Sequence, residues 1–191
     1  MKLLLITTIT AWAALGQIPN IDLQRNKAEI LQHYRSLIQL DTSNPPGNET
    51  RAVEYLKKVL EAEGIPTETF AMDAKRANLV ARLKGNGSKK PLLILAHTDV
   101  VGVQREKWPV DPFGAVIKDG YVWGRGSRDD KPVLAAHLMV MLLLKRNSVP
   151  LDRDVIFLAE SGGTLLRLSN SITIRCAANT GLSSREPRPQ T

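Results

Sequence analysis

Apolar and polar positions follow two periods along this chain, and the switches between them outline alternating helices and strands. From Asp22 to Leu40, the residues Ile30, Leu31, Tyr34, Leu37 and Ile38 recur at the spacing of one helix face, with Leu23 leading in. The turn-rich run Asp41-Thr42-Ser43-Asn44-Pro45-Pro46-Gly47 ends that helix. A second amphipathic helix is predicted from about Glu49 to Glu63, with Val53, Leu56, Val59 and Leu60 inward and Gly64 at the C′ position. Ile65 to Met72 and Asn78 to Leu83 read as strands, and Gly85-Asn86-Gly87-Ser88 as the turn into the next one. That next strand, Leu92 to Ala96, is an unbroken apolar run between Pro91 and His97, the pattern of a strand covered on both faces in a parallel sheet. Val116-Ile117 and Tyr121-Val122-Trp123 flank Lys118-Asp119-Gly120, a tight hairpin signal. A helix from about Val133 to Leu144 follows Pro132, which suits a first helical turn. It is apolar nearly all round, as a helix buried on most faces would be. Asp154 to Ala159 is a further buried strand, and no internal repeat is present.

Strands that alternate with helices predict an α/β fold with a mostly parallel sheet flanked by helices. Composition agrees: 43% of the 191 residues are apolar and 24% charged, within the ordinary globular range. The net charge of +7 is unevenly placed, with +3 of it between Leu165 and the end (Arg167, Arg175, Arg185 and Arg188 against Glu186), but Lys and Arg are otherwise scattered and aromatic residues are 5%, so the clustered basic face and stacking platforms of a nucleic-acid surface are missing. The single cysteine, Cys176, excludes an intrachain disulfide framework and any multi-cysteine zinc site. At the amino terminus, Lys2 precedes the apolar run Leu3 to Leu15, followed by small residues. This is a secretory signal pattern, with Ala14 and Gly16 suited to a cut before Gln17 and Ala11 and Ala13 to one before Ala14. The expectation is a secreted or periplasmic protein without stable membrane association after cleavage.

The candidate chemistry sits at His97-Thr98-Asp99. In open α/β sheets, ligands bind beyond the carboxyl ends of strands, where His97 falls. A neutral imidazole is the commonest zinc ligand, and Asp99 is close enough to orient its ring. With three histidines in all, a metal site here must lean on carboxylates. The spacing predicts that His137 is packed in the core and that His33, off the main apolar stripe, faces solvent.

Four motifs occur in order: Asp41 to Glu49; His97-Thr98-Asp99; Trp108 with Asp111-Pro112-Phe113; and Gly124-Arg125-Gly126 with Asp129-Asp130-Lys131. Over about residues 25–162 the chain resembles the M20 family of metallopeptidases, which includes aminoacylases, carboxypeptidases and dipeptidases. The resemblance implies a three-layer zinc-peptidase-like domain and two co-catalytic zinc ions. His97 would ligate one zinc, Asp129 would bridge both, and Asp99 would hold the His97 ring. Two metals so placed would clamp the attacking water and the carbonyl oxygen of a terminal peptide or N-acyl amino acid amide. Asp130 reads equally as a helix N-terminal charge.

The sequence also departs from the family. Pro132 stands where many members have glycine. The family's adjacent Glu-Glu pair should fall at 163 and 164, which are Gly163 and Thr164 here. Glu160 comes three residues early. The later metal ligands and the lid or dimerisation domain have no counterpart in these 191 residues. The expected layout is a signal peptide over 1–16, the N-terminal part of a catalytic domain over 17–164, and an unstructured tail over 165–191. The tail is rich in Ser, Arg, Thr and Asn, lacks periodicity, and has the composition of a frameshift product. The expectation is an inactive form of a zinc hydrolase. The alternative is a metal-free secreted α/β binding module.

Overall fold

A computed structural model describes residues 21–162. The signal-like segment 1–16 and the tail 165–191 lie outside them. In order come α1 (Lys27–Gln39), β1 (Ser43–Asn44), α2 (Thr50–Ala62), β2 (Thr67–Phe70), β3 (Asn78–Leu83), β4 (Leu92–His97) and β5 (Val100–Val101). A short 3-10 turn (Arg105–Lys107) precedes the hairpin of β6 (Val116–Lys118) and β7 (Tyr121–Trp123), which is followed by α3 (Lys131–Arg146) and β8 (Val155–Glu160). No described helix is long and apolar enough to cross a membrane.

The α/β class is as the periodicity predicts, but the sheet is mixed. Its order is β2-β3-β8-β4, and only β4 and β8 run parallel; β3 is antiparallel to both β2 and β8. The cause lies in the connections. A short link joins β2 to β3 and enforces antiparallel pairing, whereas α3 lies in the crossover that brings β8 parallel to β4.

α2 and α3 pack against one face of this sheet, and α1 packs on α3. Leu37, Val53, Leu56, Leu60, Leu134, Leu138 and Leu142 join Leu79, Ala81, Ala96, Val155, Phe157 and Ala159 in one core. Residues two apart along β3 and β8 share a face and adjacent ones alternate, which is why only one parity belongs to it. β8 is buried along its whole length, as its run predicts. β4 differs from the two-sided burial expected: Leu93 and Leu95, on the face away from the helices, are 48% and 37% exposed. Among the described residues β4 is one edge strand of the sheet and β2 the other, and the helices and the sheet are the two layers present. Likewise α3 leaves Val133 and Val140 exposed on one side instead of burying every face.

α2 ends as its sequence predicts. Gly64 donates to the Glu61 carbonyl and Ile65 to the Leu60 carbonyl, a Schellman cap whose hydrophobic partner, Ile65, is fully buried.

His33 does not face solvent. It is buried between α1 and α2, with Nδ1 2.7 Å from the Tyr55 hydroxyl and Nε2 3.5 Å from Glu29. Burial lowers its pKa more than Glu29 raises it. Between that lowered value and the ordinary value of about 6.5, the unfolded chain binds more protons than the folded one. The contribution of His33 is therefore full above about pH 6.5 and is lost as pH falls toward the lowered value. The melting temperature should drop between pH 7.5 and 5.5, and the drop should be smaller in His33→Gln. An equal drop in variant and parent would contradict this.

Candidate metal centre

β4 and β8 end side by side, with His97 in register with Glu160. The turn that follows β4 is pinned from two directions. Thr98 is fully buried, and its backbone N–H and hydroxyl both donate to the Glu160 carbonyl, at 2.7 and 2.8 Å. From the other side, the Thr42 hydroxyl donates to the Thr98 carbonyl at 2.7 Å, and Val100 donates to the Thr42 carbonyl. The polar run after α1 thus becomes a short parallel pairing of β1 with β5 that braces the turn.

The glycine-rich segment after β7 forms the second wall. Gly126 has φ +82°, and a Cβ there would lie 2.8 Å from Val100 Cγ1, so this close approach requires glycine. Lys131, the first residue of α3, is fully buried and donates to the Leu40 carbonyl, with the Phe113 ring 5.9 Å from its ammonium. Burial pushes it down to about 8 against the opposing charge of Asp41. Trp108 stacks on the Arg125 guanidinium at 5.1 Å. The tryptophan and Asp-Pro-Phe motifs therefore brace the segment that carries Asp129.

These elements bring the three predicted site residues together. His97 Nδ1 lies 2.9 Å from Asp99 Oδ1, and His97 Nε2 lies 3.0 Å from Asp129 Oδ1. Asp130 occupies the N-cap position of α3 without a side-chain cap bond, and its Oδ2 instead accepts the His97 backbone N–H at 3.3 Å. The Asp129–Asp130 peptide is cis. With a carboxylate on each side of the ring, a neutral imidazole would leave one lone pair facing an anion. Either a second proton or a cation relieves that. Burial of the ring favours the neutral form, but the hydrogen bond to Asp129 and the charges of Asp99 and Asp130 outweigh it, so the His97 pKa is raised. A metal ion would occupy the place of the Nε2 proton.

The donors fit a metal only in part. Zn–N and Zn–O bonds of about 2.0–2.2 Å set tetrahedral donors roughly 3.3–3.5 Å apart, slightly wider than the His97–Asp129 pair. Catalytic zinc takes three protein ligands, and structural zinc four. Among the described residues no group of three or more His, Cys, Asp or Glu side chains is placed to hold an ion. Glu160 is near but does not complete the set. It is 5% exposed, and its Oε2 has no hydrogen-bond partner. Burial, opposed by His97 and reinforced by Asp99, raises its pKa. His33 and His137 lie elsewhere, against Tyr55 and Phe157 respectively.

Sequence reasoning missed two residues beside the site. Arg76 Nη2 donates to the carbonyls of Ser161 and Gly162, and Asn78 Oδ1 accepts from the Ser161 N–H and hydroxyl. Two polar residues at the entry of a buried strand, Arg76 and Asn78, were the available signal.

Comparison with known proteins bears on the family and the fold. Residues 93–162 match the description "Peptidase family M20/M25/M40". An N-formyl-4-amino-5-aminomethyl-2-methylpyrimidine deformylase of Halalkalibacterium halodurans is 33% identical over 142 residues, covering 72% of this chain and 33% of the relative. The chain thus spans about a third of the length of the curated relatives it matches. In fold it is similar to human carnosine dipeptidase 1, with TM-score 0.72 and 18% identity over 82% of this chain and 38% of the other. It is also similar to a dinuclear metal binding peptidase from the M20 family of Bacillus subtilis, with TM-score 0.56 and 18% identity over 84% of this chain and 42% of the other.

Proposed function

The chain belongs to peptidase family M20/M25/M40, a family of hydrolases, and from that premise we propose that it derives from a secreted zinc hydrolase acting on a terminal peptide or N-acyl amino acid bond. The single observation that carries the reading is the His97 ring held between Asp99 at Nδ1 and Asp129 at Nε2. Asp99 fixes the ring and its tautomer, leaving Nε2 as the donor atom. Asp129, largely exposed at the mouth of the site, offers the second donor. The peptidase and deformylase names of its relatives support an amide or acyl-amide substrate. Export is supported by the signal-like run Leu3 to Leu15.

We further propose that the 191-residue chain itself is catalytically silent. Two described donors are too few for a two-zinc site, and Gly163-Thr164 stands where the family carries its acidic pair. A positioned general base contributes about 10²–10⁴-fold, and the glutamate that supplies it in the family has no counterpart at positions 163 and 164. The purified chain, supplied with zinc, should not hydrolyse dipeptides or N-acyl amino acids above the rate of a His97→Ala control. Zinc-dependent turnover abolished by Glu160→Ala would overturn this and assign Glu160 the role of the missing pair.

A further inference from the structure

We propose that Arg76 is a positioning residue: paired with the buried Glu49, it fixes the chain leaving β8 and so sets the Asp99 carboxylate against the His97 ring. This rests on the reading of His97 and Asp99 as site residues.

Ser161 and Gly162 are buried although they lie beyond the last strand, so their backbone polar groups need internal partners. Arg76 supplies them for both carbonyls, at 2.9 Å to Ser161 and 3.0 Å to Gly162. Asn78 supplies the partner for the Ser161 N–H at 2.9 Å. The antiparallel register of Leu79 with Ala159 places both side chains beside this exit. Arg76 is held in turn by Glu49, whose side chain is fully buried, with Nε 3.4 Å from Oε1. The alignment is too poor for a hydrogen bond, and both Glu49 oxygens lack one. A buried pair of this kind contributes little net stability over apolar residues of the same size, but it holds a guanidinium in one place.

The exit segment bears directly on the site. Gly162 has φ +71°, and a Cβ there would lie 2.5–2.6 Å from all three atoms of the Asp99 carboxyl group. The Gly162 backbone therefore lies against the carboxylate that holds His97 Nδ1. A shift of Gly162 moves Asp99, and with it the ring. The same segment also aims the chain toward positions 163 and 164.

The test is amide hydrogen exchange and imidazole NMR on the full 191-residue chain. Arg76→Ala should speed exchange at Ser161 by about tenfold or more, the effect of one lost charge-assisted hydrogen bond, and shift the His97 ring resonances. Ala81, in the middle of β3, should keep its protection, and Arg76→Lys should restore part of the Ser161 protection. Glu49→Met with Arg76→Met should keep the parent melting temperature yet leave Ser161 fast and the His97 resonances shifted. This second variant decides the matter if Arg76→Ala fails to fold. Parent-like Ser161 protection and parent-like His97 resonances in the double variant would overturn the proposal. So would a loss in Arg76→Ala that is uniform across β3, β8 and Ser161. Zinc does not enter this readout. Loss of the zinc reading with Ser161 still responsive leaves the clamp standing, and His97-dependent zinc binding with Ser161 unresponsive removes the clamp alone.

Discussion

Phe157→Ala is expected to cost about 3–5 kcal/mol of folding stability, the largest effect of any single side chain in the sheet. Phe157 is fully buried at the middle of β8, between Ala81 of β3 and Ile94 of β4 in register. Its ring meets the His137 imidazole edge-on at 5.8 Å. Ala81 is too small to refill the space, and the strands on either side are held by backbone hydrogen bonds, so a cavity would remain. Against a typical domain stability of about 5–15 kcal/mol, that loss leaves a marginal fold. Leu95→Ala, on the half-open face of β4, should cost far less, because its side chain already meets solvent. Urea unfolding checks both. Similar midpoint shifts for the two variants would contradict the single-sided core.

Much of this core was legible in the sequence. The stripe of Val53, Leu56 and Leu60, the stop at Gly64, and the hairpin at Asp119-Gly120 all follow from period and turn chemistry acting within a few residues, and all are present. What the pattern could not give was strand direction. Asn78 to Leu83 and Leu92 to Ala96 both read as strands, but β3 sits antiparallel to β8 and β4 parallel to it, a choice made by the connections. Exposure of Leu93 and Leu95 was also hidden, because an apolar run reads the same on a covered strand and on an edge strand. His33 was misjudged for a related reason: its position off the apolar stripe of α1 hides the packing of α2, whose Tyr55 hydroxyl turns that flank into an interior.

The site was legible as far as local order carries. His97 and Asp99 are two residues apart at a strand end, so their contact follows from the sequence. Asp129 is distant in sequence, and only its place in a motif pointed to it; the fold brings it to 3.0 Å. Arg76 and Glu49 were not readable as a pair, because a buried charge looks like a surface charge until its partner and its acceptor carbonyls are known. Asp130 sits at the N-cap position of α3, as its place in the sequence suggests, but its carboxylate accepts the His97 N–H rather than a helix N–H.

His97→Ala is expected to abolish any zinc binding by the chain, a loss greater than the 10–100-fold expected for a residue that only supports a ligand. His97 contributes the only imidazole at the centre, and Asp129 alone, largely exposed, is a weak single donor. Asp99→Asn should weaken binding about 10–100-fold, because the ring would lose the carboxylate that orients it and makes it more basic. His33→Ala and His137→Ala should leave binding unchanged, since neither ring reaches His97, Asp99 or Asp129. The most direct measurement is zinc titration of the purified 191-residue chain alongside these four variants, with bound metal counted by mass spectrometry. One weak site or less per chain is expected, lost with His97 and indifferent to His33 and His137. Two tightly held zinc ions, or an equal loss from all three histidine variants, would contradict it.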